Sequence, residues 1–95
     1  MIRLCVLLWE HPDRADAVRQ YEDEVLALLP DHGARLVSRD VVSPRVEGDP
    51  LEVQVIELPD QPALDAYLAD PRRVALTEQR DAAVARTQVL TLARR

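Results

Sequence analysis

Two stretches decide the fold of this chain: Leu4-Cys5-Val6-Leu7-Leu8-Trp9 and Val53-Gln54-Val55-Ile56-Glu57-Leu58. Each is apolar at nearly every position or is interrupted by only one or two polar residues. A strand with one face in water alternates apolar and polar side chains, whereas a strand that is apolar on both faces needs cover on both. We therefore expect these two runs to be the central strands of a sheet.

Two further strand-like runs carry more polar side chains, Arg35–Val42 and Thr87–Ala93, and this predicts edge strands. The first helical region lies between the first and second strands. It is expected to begin after Asp13, which has the residue type of an N-cap, and to extend to about His32. Gly33 is then the expected left-handed stop.

The second helical region follows the third strand, which is expected to cover Leu51–Leu58. Asp60 is the expected cap of this helix. Asp70-Pro71 places a second capping residue and a first-turn proline inside the region, which predicts two helical pieces with a kink between them. The later piece is expected to reach about Ala85, before the fourth strand.

The resulting order is strand, helix, strand, strand, helix, strand. Right-handed crossovers in both halves predict an α+β, ferredoxin-like fold with a four-stranded antiparallel sheet and the first and third strands in its middle. The length of 95 residues fits one domain, residues 1–95. Two helical regions cover one face of such a sheet, so the other face requires a partner. A homodimer through sheet faces is the expected arrangement.

Composition narrows the class of partner. The formal net charge is -5, and every strong base is an arginine. Nucleic acids and anionic membranes need a basic patch, so neither is an expected partner. The single cysteine, Cys5, cannot form an internal disulfide, and the apolar N-terminal run is too short for a signal peptide or a membrane span. These features predict a cytoplasmic protein.

No motif in the sequence predicts a metal or a bound cofactor. The two histidines and the cysteine have no metal-ligand spacing. The two glycines, Gly33 and Gly48, are far apart and form no phosphate-binding loop. No serine nucleophile motif is present. We therefore expect neither a metal nor a cofactor.

Several segments together resemble a known superfamily. They are His32-Gly33 before a strand, Val55-Ile56-Glu57-Leu58-Pro59, Ala63-Leu64-Asp65-Ala66-Tyr67-Leu68-Ala69-Asp70-Pro71, and Arg80 before a closing strand. The chain resembles the dimeric α+β barrel proteins from Met1 to about Leu92. The resemblance is to a small domain-of-unknown-function branch, related to the antibiotic-biosynthesis monooxygenases and the YCII-like proteins.

The resemblance implies sheets paired face to face in a dimer. Several members of this superfamily bind small aromatic or polyketide-like compounds in a cavity beside the sheet. Some oxidise, isomerise or cyclise these compounds without metal or bound cofactor, which implies a tailoring protein of the monooxygenase, cyclase or isomerase type. The chain has Tyr67 where the family usually has tryptophan, and Arg73 where it often has tyrosine.

Three residues are candidates for catalysis: Tyr67, Glu57 and Arg80. Tyr67 is expected to face the sheet and donate a proton, unless it is a core tyrosine with a satisfied hydroxyl. Burial of Glu57 in a central strand would raise its pKa toward a useful range, unless it reaches water or forms an ion pair. Arg80 is expected to pair with Glu57 or hold an anionic ligand, with a surface position as the alternative.

Four residues are candidates for ligand binding: Trp9, Tyr21, His32 and Arg39. The two aromatic residues are candidate cavity walls and equally ordinary core residues. His32 at a helix C-terminus fits a capping role as well. Arg39, like Gln54, is a polar group on a strand that fits a dimer interface or a pocket.

A rival hypothesis is that the protein does not catalyse a reaction. The chain carries few groups typical of catalysis, which favours a ligand-binding or dimeric interaction module. A regulatory accessory subunit is a third class. A cavity filled by side chains, with Glu57 exposed or bound to an arginine, favours the non-catalytic module.

Overall fold

A computed structural model describes all residues, 1–95, and divides them into four strands and four helices. A 3₁₀ turn, Leu29–His32, follows the first helix. The strands are β1 (Ile2–Glu10), β2 (Arg35–Val41), β3 (Glu52–Leu58) and β4 (Val84–Leu92). The helices are α1 (Ala15–Leu26), α2 (Gln61–Leu68), α3 (Pro71–Val74) and α4 (Thr77–Ala83). None of these helices has the length and apolar character needed to span a membrane.

The sheet has the order β2-β3-β1-β4, and all three pairs of neighbours are antiparallel. The two apolar runs are therefore its central strands, as the sequence predicts. Cys5 lies in the middle of this arrangement, opposite Val55 on one side and Leu90 on the other. The order and the antiparallel pairing confirm the α+β, ferredoxin-like fold.

The first helix is shorter than the prediction at both ends. Asp13 has a φ of 63° and Arg14 is the N-cap, without a capping side-chain hydrogen bond, so the expected cap was wrong. At the other end, α1 stops at Leu26. Pro30 explains this stop, because a proline in a continuing helix would clash with the carbonyl four residues earlier. Gly33, with a φ of 67°, closes the 3₁₀ turn in the predicted left-handed conformation.

The second helical region begins as predicted and is then divided more finely. Asp60 accepts a hydrogen bond from the Ala63 amide at 2.9 Å, and Asp70 accepts one from the Arg72 amide at 2.9 Å. The expected single later piece is instead α3 and α4. Thr77 begins α4, and its hydroxyl donates to the Val74 carbonyl at 2.7 Å, a local bond that competes with a continuous helix.

The helices lie on one face of the sheet, where they contact the even-numbered side chains of β1 and β3. One core cluster includes Leu4, Ile56, Leu58 and Tyr67. A second cluster joins Leu8 to the α1 residues Val18, Tyr21 and Val25. Burial of these side chains is the main stabilising contribution, at about 25 cal/mol for each Å² of apolar surface removed from water.

The opposite face, which we call the open face, carries the odd-numbered side chains of β1 and β3. Cys5, Leu7 and Val55 lie in its middle and are only half-buried, and Leu90 beside them is 43% exposed. All four helices pack on the other side, so no element of the chain covers these groups. The open face is therefore an exposed apolar surface on a single chain.

Candidate functional site

A cavity of about 330 Å³ lies between the helices and the sheet. We call it the helix–sheet cavity. Its volume is at the lower end of the range of about 300–1,000 Å³ that is typical of small-molecule sites. Most of its lining is apolar and comes from α1, α2 and the three strands β1, β3 and β4. The polar lining residues are few: Glu22, Gln54, Tyr67, Arg73 and Thr87.

Glu22 is the acidic group of this cavity, and it is buried. The Gln54 side-chain amide, itself buried, donates to Glu22 Oε1 at 2.8 Å and to Glu52 Oε2 at 2.6 Å. Burial raises the pKa of Glu22 above its ordinary value. The hydrogen bond from Gln54 opposes that shift, the charge of Glu52 adds to it, and the charges of Arg73 and Arg39 also oppose it. Glu22 thus holds its proton to higher pH than a solvated glutamate, which suits acid–base chemistry.

Arg39 continues this network away from the cavity. Its Nε donates to Glu52 Oε2 at 2.9 Å, and its guanidinium also bonds to Asp23 and to the Arg19 carbonyl of α1. Arg39 is not among the lining residues of the cavity. Its contacts tie the edge strand β2 to α1, so its predicted role in ligand binding gains no support from its position.

Two donors in the cavity wall have no hydrogen-bond partner. They are Arg73 Nε and Thr87 Oγ1, and both atoms are buried. The Arg73 guanidinium lies 5.2 Å from the centroid of the Tyr67 ring. The Tyr67 hydroxyl, in contrast, is occupied, because it donates to the Val25 carbonyl at 3.1 Å. Burial raises the pKa of Tyr67, with the nearby Arg73 charge opposing, so the phenol stays protonated at neutral pH.

The Tyr67 hydroxyl therefore has a measurable structural role. We expect Tyr67→Phe to lower the free energy of unfolding by about 1 kcal/mol, because a buried hydrogen bond is lost, although the Val25 carbonyl still accepts from the Leu28 amide. Urea denaturation measures this difference. Tyr21→Phe is the matched control: the Tyr21 hydroxyl is buried without a partner, so its removal is expected to leave stability unchanged or higher. Equal losses in both variants would contradict the assignment.

Tyr21 itself belongs to the core and not to the cavity wall. Only 2% of its surface is exposed, and it packs with Leu8, Val18 and Val25. It is not among the lining residues of the helix–sheet cavity. The alternative reading of Tyr21 as an ordinary core residue describes its position.

Glu57 lies on the open face, on the other side of the sheet from Tyr67. It forms ion pairs with Arg35 at 2.8 Å and Arg3 at 3.0 Å, and Arg94 Nη2 is 4.0 Å away. The hydrogen bond from Arg35, helped by Arg3, holds the pKa of Glu57 below its ordinary value despite some desolvation. The expectation that burial would raise this pKa was wrong, since the carboxylate is surrounded by guanidinium groups.

The three predicted catalytic residues do not meet in one place. Arg80 approaches its neighbour Asp81 at 3.6 Å, and it forms no ion pair with Glu57. Glu57 is on the open face and Tyr67 is in the cavity, with the sheet between them. The expected pairing of Arg80 with Glu57 was therefore wrong. Glu57 faces away from the cavity because adjacent positions 56 and 57 of β3 point to opposite faces.

His32 and Trp9 also lie outside the cavity lining. His32 Nε2 is 2.8 Å from Asp70 Oδ2, and its ring packs edge-on against Tyr67 with centroids 5.8 Å apart. This contact ties the 3₁₀ turn to the cap of α3. Trp9 is on the open face, where its Nε1 donates to the Gly48 carbonyl at 2.9 Å and the Arg86 guanidinium lies 4.4 Å from its ring centroid.

Sequence reasoning missed the acidic group of the cavity. Glu22 stands among the acidic residues Asp23 and Glu24, which are exposed, and composition alone does not separate them. The available signal was spacing: Glu22 follows Val18 by four residues and precedes Val25 by three, so it shares their buried face. Thr87 was missed as a site residue because it was assigned only to an edge strand.

Solved structures share this fold across nearly the whole chain. One is titled an antibiotic biosynthesis monooxygenase: 20% identity, TM-score 0.69, 99% of this chain and 98% of that chain covered. An uncharacterized NIPSNAP domain protein from Burkholderia xenovorans has 18% identity and a TM-score of 0.75, covering 100% and 95%. A dimeric ferredoxin-like protein of unknown function from Thermobifida fusca has 18% identity and a TM-score of 0.70, covering 97% and 89%.

These likenesses show a common fold, and at such identities they show no more than that. No curated protein matches the sequence. One family profile does match it, over residues 6–93, which is most of the chain. The resemblance to a domain-of-unknown-function branch is thereby confirmed. The chain belongs to the family described as domain of unknown function (DUF1330).

Proposed function

We propose that this protein acts on a small molecule held in the helix–sheet cavity, and that the work of the site is proton transfer by Glu22. The observation that carries the proposal is a buried carboxyl group in the lining of a mostly apolar cavity, which also contains two residues with unpartnered donors. This arrangement suits an aromatic or polyketide-like compound with one polar group. The reaction class is that of a tailoring enzyme without cofactor: an isomerase, a cyclase or a monooxygenase.

A buried carboxyl serves isomerisation or cyclisation by moving one proton. As carboxylate, Glu22 accepts a proton from an acidic carbon or hydroxyl of the substrate, and the electron pair left behind forms the enolate or phenolate. The resulting carboxylic acid then returns the proton at another position, so that no atom or electron is gained or lost. Monooxygenation would in addition need dioxygen as a second substrate. The fold shared with an antibiotic biosynthesis monooxygenase supports only the monooxygenase among these reaction classes.

We also propose that the functional form is a homodimer through the open face. The middle of this face is apolar, with Cys5, Leu7, Val55 and Leu90, and charged groups lie at its ends. An apolar centre with a polar rim is typical of a protein–protein interface. The solved dimeric ferredoxin-like proteins support the same arrangement.

The second candidate function is a ligand-binding module without catalysis. Two observations favour it. The Tyr67 hydroxyl is bonded to the Val25 carbonyl, which leaves Glu22 as the acid–base group of the cavity. Glu57 is bound to Arg3 and Arg35. Both candidates require a ligand in the same cavity. They differ in whether the bound compound is converted.

A thermal-shift screen of the purified protein tests both candidates. The panel contains aromatic acids, quinones, lactones and polyketide-like compounds. A ligand at about 100 times its dissociation constant stabilises the folded state by about 2.7 kcal/mol. For a domain of this size each 1 kcal/mol raises Tm by about 4–8 °C. We expect at least one class of compound to raise Tm, and mass spectrometry of the hit then shows conversion or none.

Leu64→Trp is the control for this screen, because Leu64 lines the cavity and a larger side chain there occupies it. Compounds that bind in the cavity are expected to lose their effect on Tm in this variant. Absence of any hit across the panel, or hits that survive Leu64→Trp unchanged, would contradict a ligand site in the helix–sheet cavity.

A further inference from the structure

Arg73 is a partly buried cation that forms no ion pair. It takes part in none of the ion pairs of the structure, whereas most of the other arginines are paired. Its Nε is buried and has no hydrogen-bond partner. The face of the Tyr67 ring, 5.2 Å away, supplies only a weak attraction. A guanidinium group taken out of water is stabilised by an anion with good geometry, and no carboxylate of the chain is in ion-pair contact with Arg73.

Glu22 does not fill this role although it lines the same cavity. Its carboxyl accepts from Gln54, and it makes no ion pair with Arg73. Burial raises the pKa of Glu22, and the charge of Arg73 opposes that shift without a direct contact between the two groups. The Arg73 guanidinium therefore has no carboxylate bonded to it, and an anion that enters the cavity meets no competing ion pair.

Thr87 supplies a second unused donor. Its Oγ1 is buried without a partner, and it lines the cavity from β4, while Arg73 lines it from α3. A buried hydroxyl without a partner costs free energy, and a ligand oxygen that accepts from it removes this cost. The residues that line the cavity thus include one cation, and two of their buried donor atoms have no partner in a mostly apolar lining.

We propose that the helix–sheet cavity selects an apolar compound bearing one oxyanion on a carbon skeleton, a carboxylate, phenolate or enolate, and that Arg73 Nε and Thr87 Oγ1 are its donors. This inference rests on the proposed ligand site and adds the chemical class of the ligand. A single guanidinium matches a single negative charge. A phosphate dianion would leave one charge unmatched among apolar side chains, and it is therefore a poor occupant.

The test compares two probes of the same shape, 1-naphthoate and 1-naphthamide, by isothermal titration calorimetry at pH 7.5. For the full chain we expect naphthoate to bind at least 10-fold more tightly than naphthamide. Arg73→Gln is expected to abolish this preference while naphthamide binding is retained. Thr87→Val, which removes the hydroxyl and keeps the shape, is expected to reduce the preference severalfold.

The matched control is Arg94→Gln. Arg94 belongs to the open face, where it approaches Glu57 with Arg3 and Arg35, and its loss removes the same charge without touching the cavity. The preference for naphthoate is expected to survive this change. Should Arg73→Gln not fold, Arg73→Lys keeps the charge but loses the Nε–H. This variant is expected to show an intermediate preference.

The outcomes separate this inference from the proposed ligand site. Equal affinity of the two probes for the unmodified chain would overturn the oxyanion preference and leave a neutral cavity site standing. A preference lost in Arg94→Gln but kept in Arg73→Gln would place the anion on the open face and overturn it as well. Failure of both probes to bind would overturn the inference, and the absence of any hit in the thermal-shift panel would then overturn the proposed ligand site too.

Discussion

Replacement of Glu22 by glutamine is expected to slow conversion of a cavity ligand by about 10²- to 10⁴-fold, the range that a positioned acid–base group contributes. The amide keeps the size of the side chain and an oxygen that accepts from Gln54, but it carries no proton to exchange. The fold is therefore expected to persist while turnover is lost. Steady-state kinetics on a hit from the thermal-shift screen, with far-ultraviolet circular dichroism of the variant, measure both properties.

The pH dependence of stability gives a second readout on Glu22. Its pKa in the folded protein lies above the ordinary value of 4.5. At a pH between 4.5 and the pKa of Glu22 in the folded protein, the folded state keeps a proton that the unfolded state has lost. The free energy of unfolding that this group contributes therefore falls as the pH rises from 4.5 to the folded-state pKa. Glutamine does not titrate. The Tm of Glu22→Gln minus that of the unmodified chain is therefore expected to increase as the pH rises from about 4.5.

Glu24→Gln is the matched control on the same helix. Glu24 is exposed and accepts from the Gln79 side chain at 2.9 Å, outside the cavity lining. Its replacement is expected to leave turnover unchanged. Turnover that survives Glu22→Gln, or falls equally in both variants, would remove Glu22 from the proposed mechanism.

An aspartate in the middle of the open face is expected to separate the dimer. In Leu90→Asp a charge replaces an apolar side chain that is 43% exposed in the single chain, so the monomer tolerates it. In a face-to-face dimer, two-fold symmetry buries this charge twice. We expect the dissociation constant to rise by roughly 100-fold or more, and analytical ultracentrifugation over a range of concentrations measures it.

Val74→Asp is the control for this experiment. Val74 is a similarly exposed apolar residue, 55%, but it lies on α3 on the other side of the sheet. The variant introduces the same charge and is expected to remain as dimeric as the unmodified chain. A monomeric unmodified chain, or dissociation by Val74→Asp in place of Leu90→Asp, would exclude an interface on the open face.

The order of the strands in the sheet could be predicted from the sequence, because the runs that are apolar on both faces become the central strands. Helix boundaries could also be predicted where one residue determines them. Gly33 ends the 3₁₀ turn in the left-handed conformation, and the side chains of Asp60 and Asp70 cap the helices that follow them. The lengths of the helices could not be predicted in this way. Pro30 and Thr77 end or interrupt helices through contacts with residues several positions away. Boundaries of this kind depend on competition between local bonds.

The residues of the candidate site were harder to predict from the sequence than the fold was. Glu57 was singled out because it interrupts an apolar strand, yet its partners Arg3 and Arg35 come from two other strands. Glu22 looked like any surface acid, and only the packing of α1 against β3 brings it to Gln54.

The sequence by itself determined the α+β fold, the two central strands and the presence of an uncovered apolar sheet face, because these follow from local propensity and the pattern of burial along the chain. The tertiary structure alone decided which polar groups meet, which of them are paired, and that Arg73 and Thr87 are left with free donors in one cavity. The physical reason is that desolvation and ion pairing depend on neighbours distant in sequence, and these set the pKa and the binding capacity of each group.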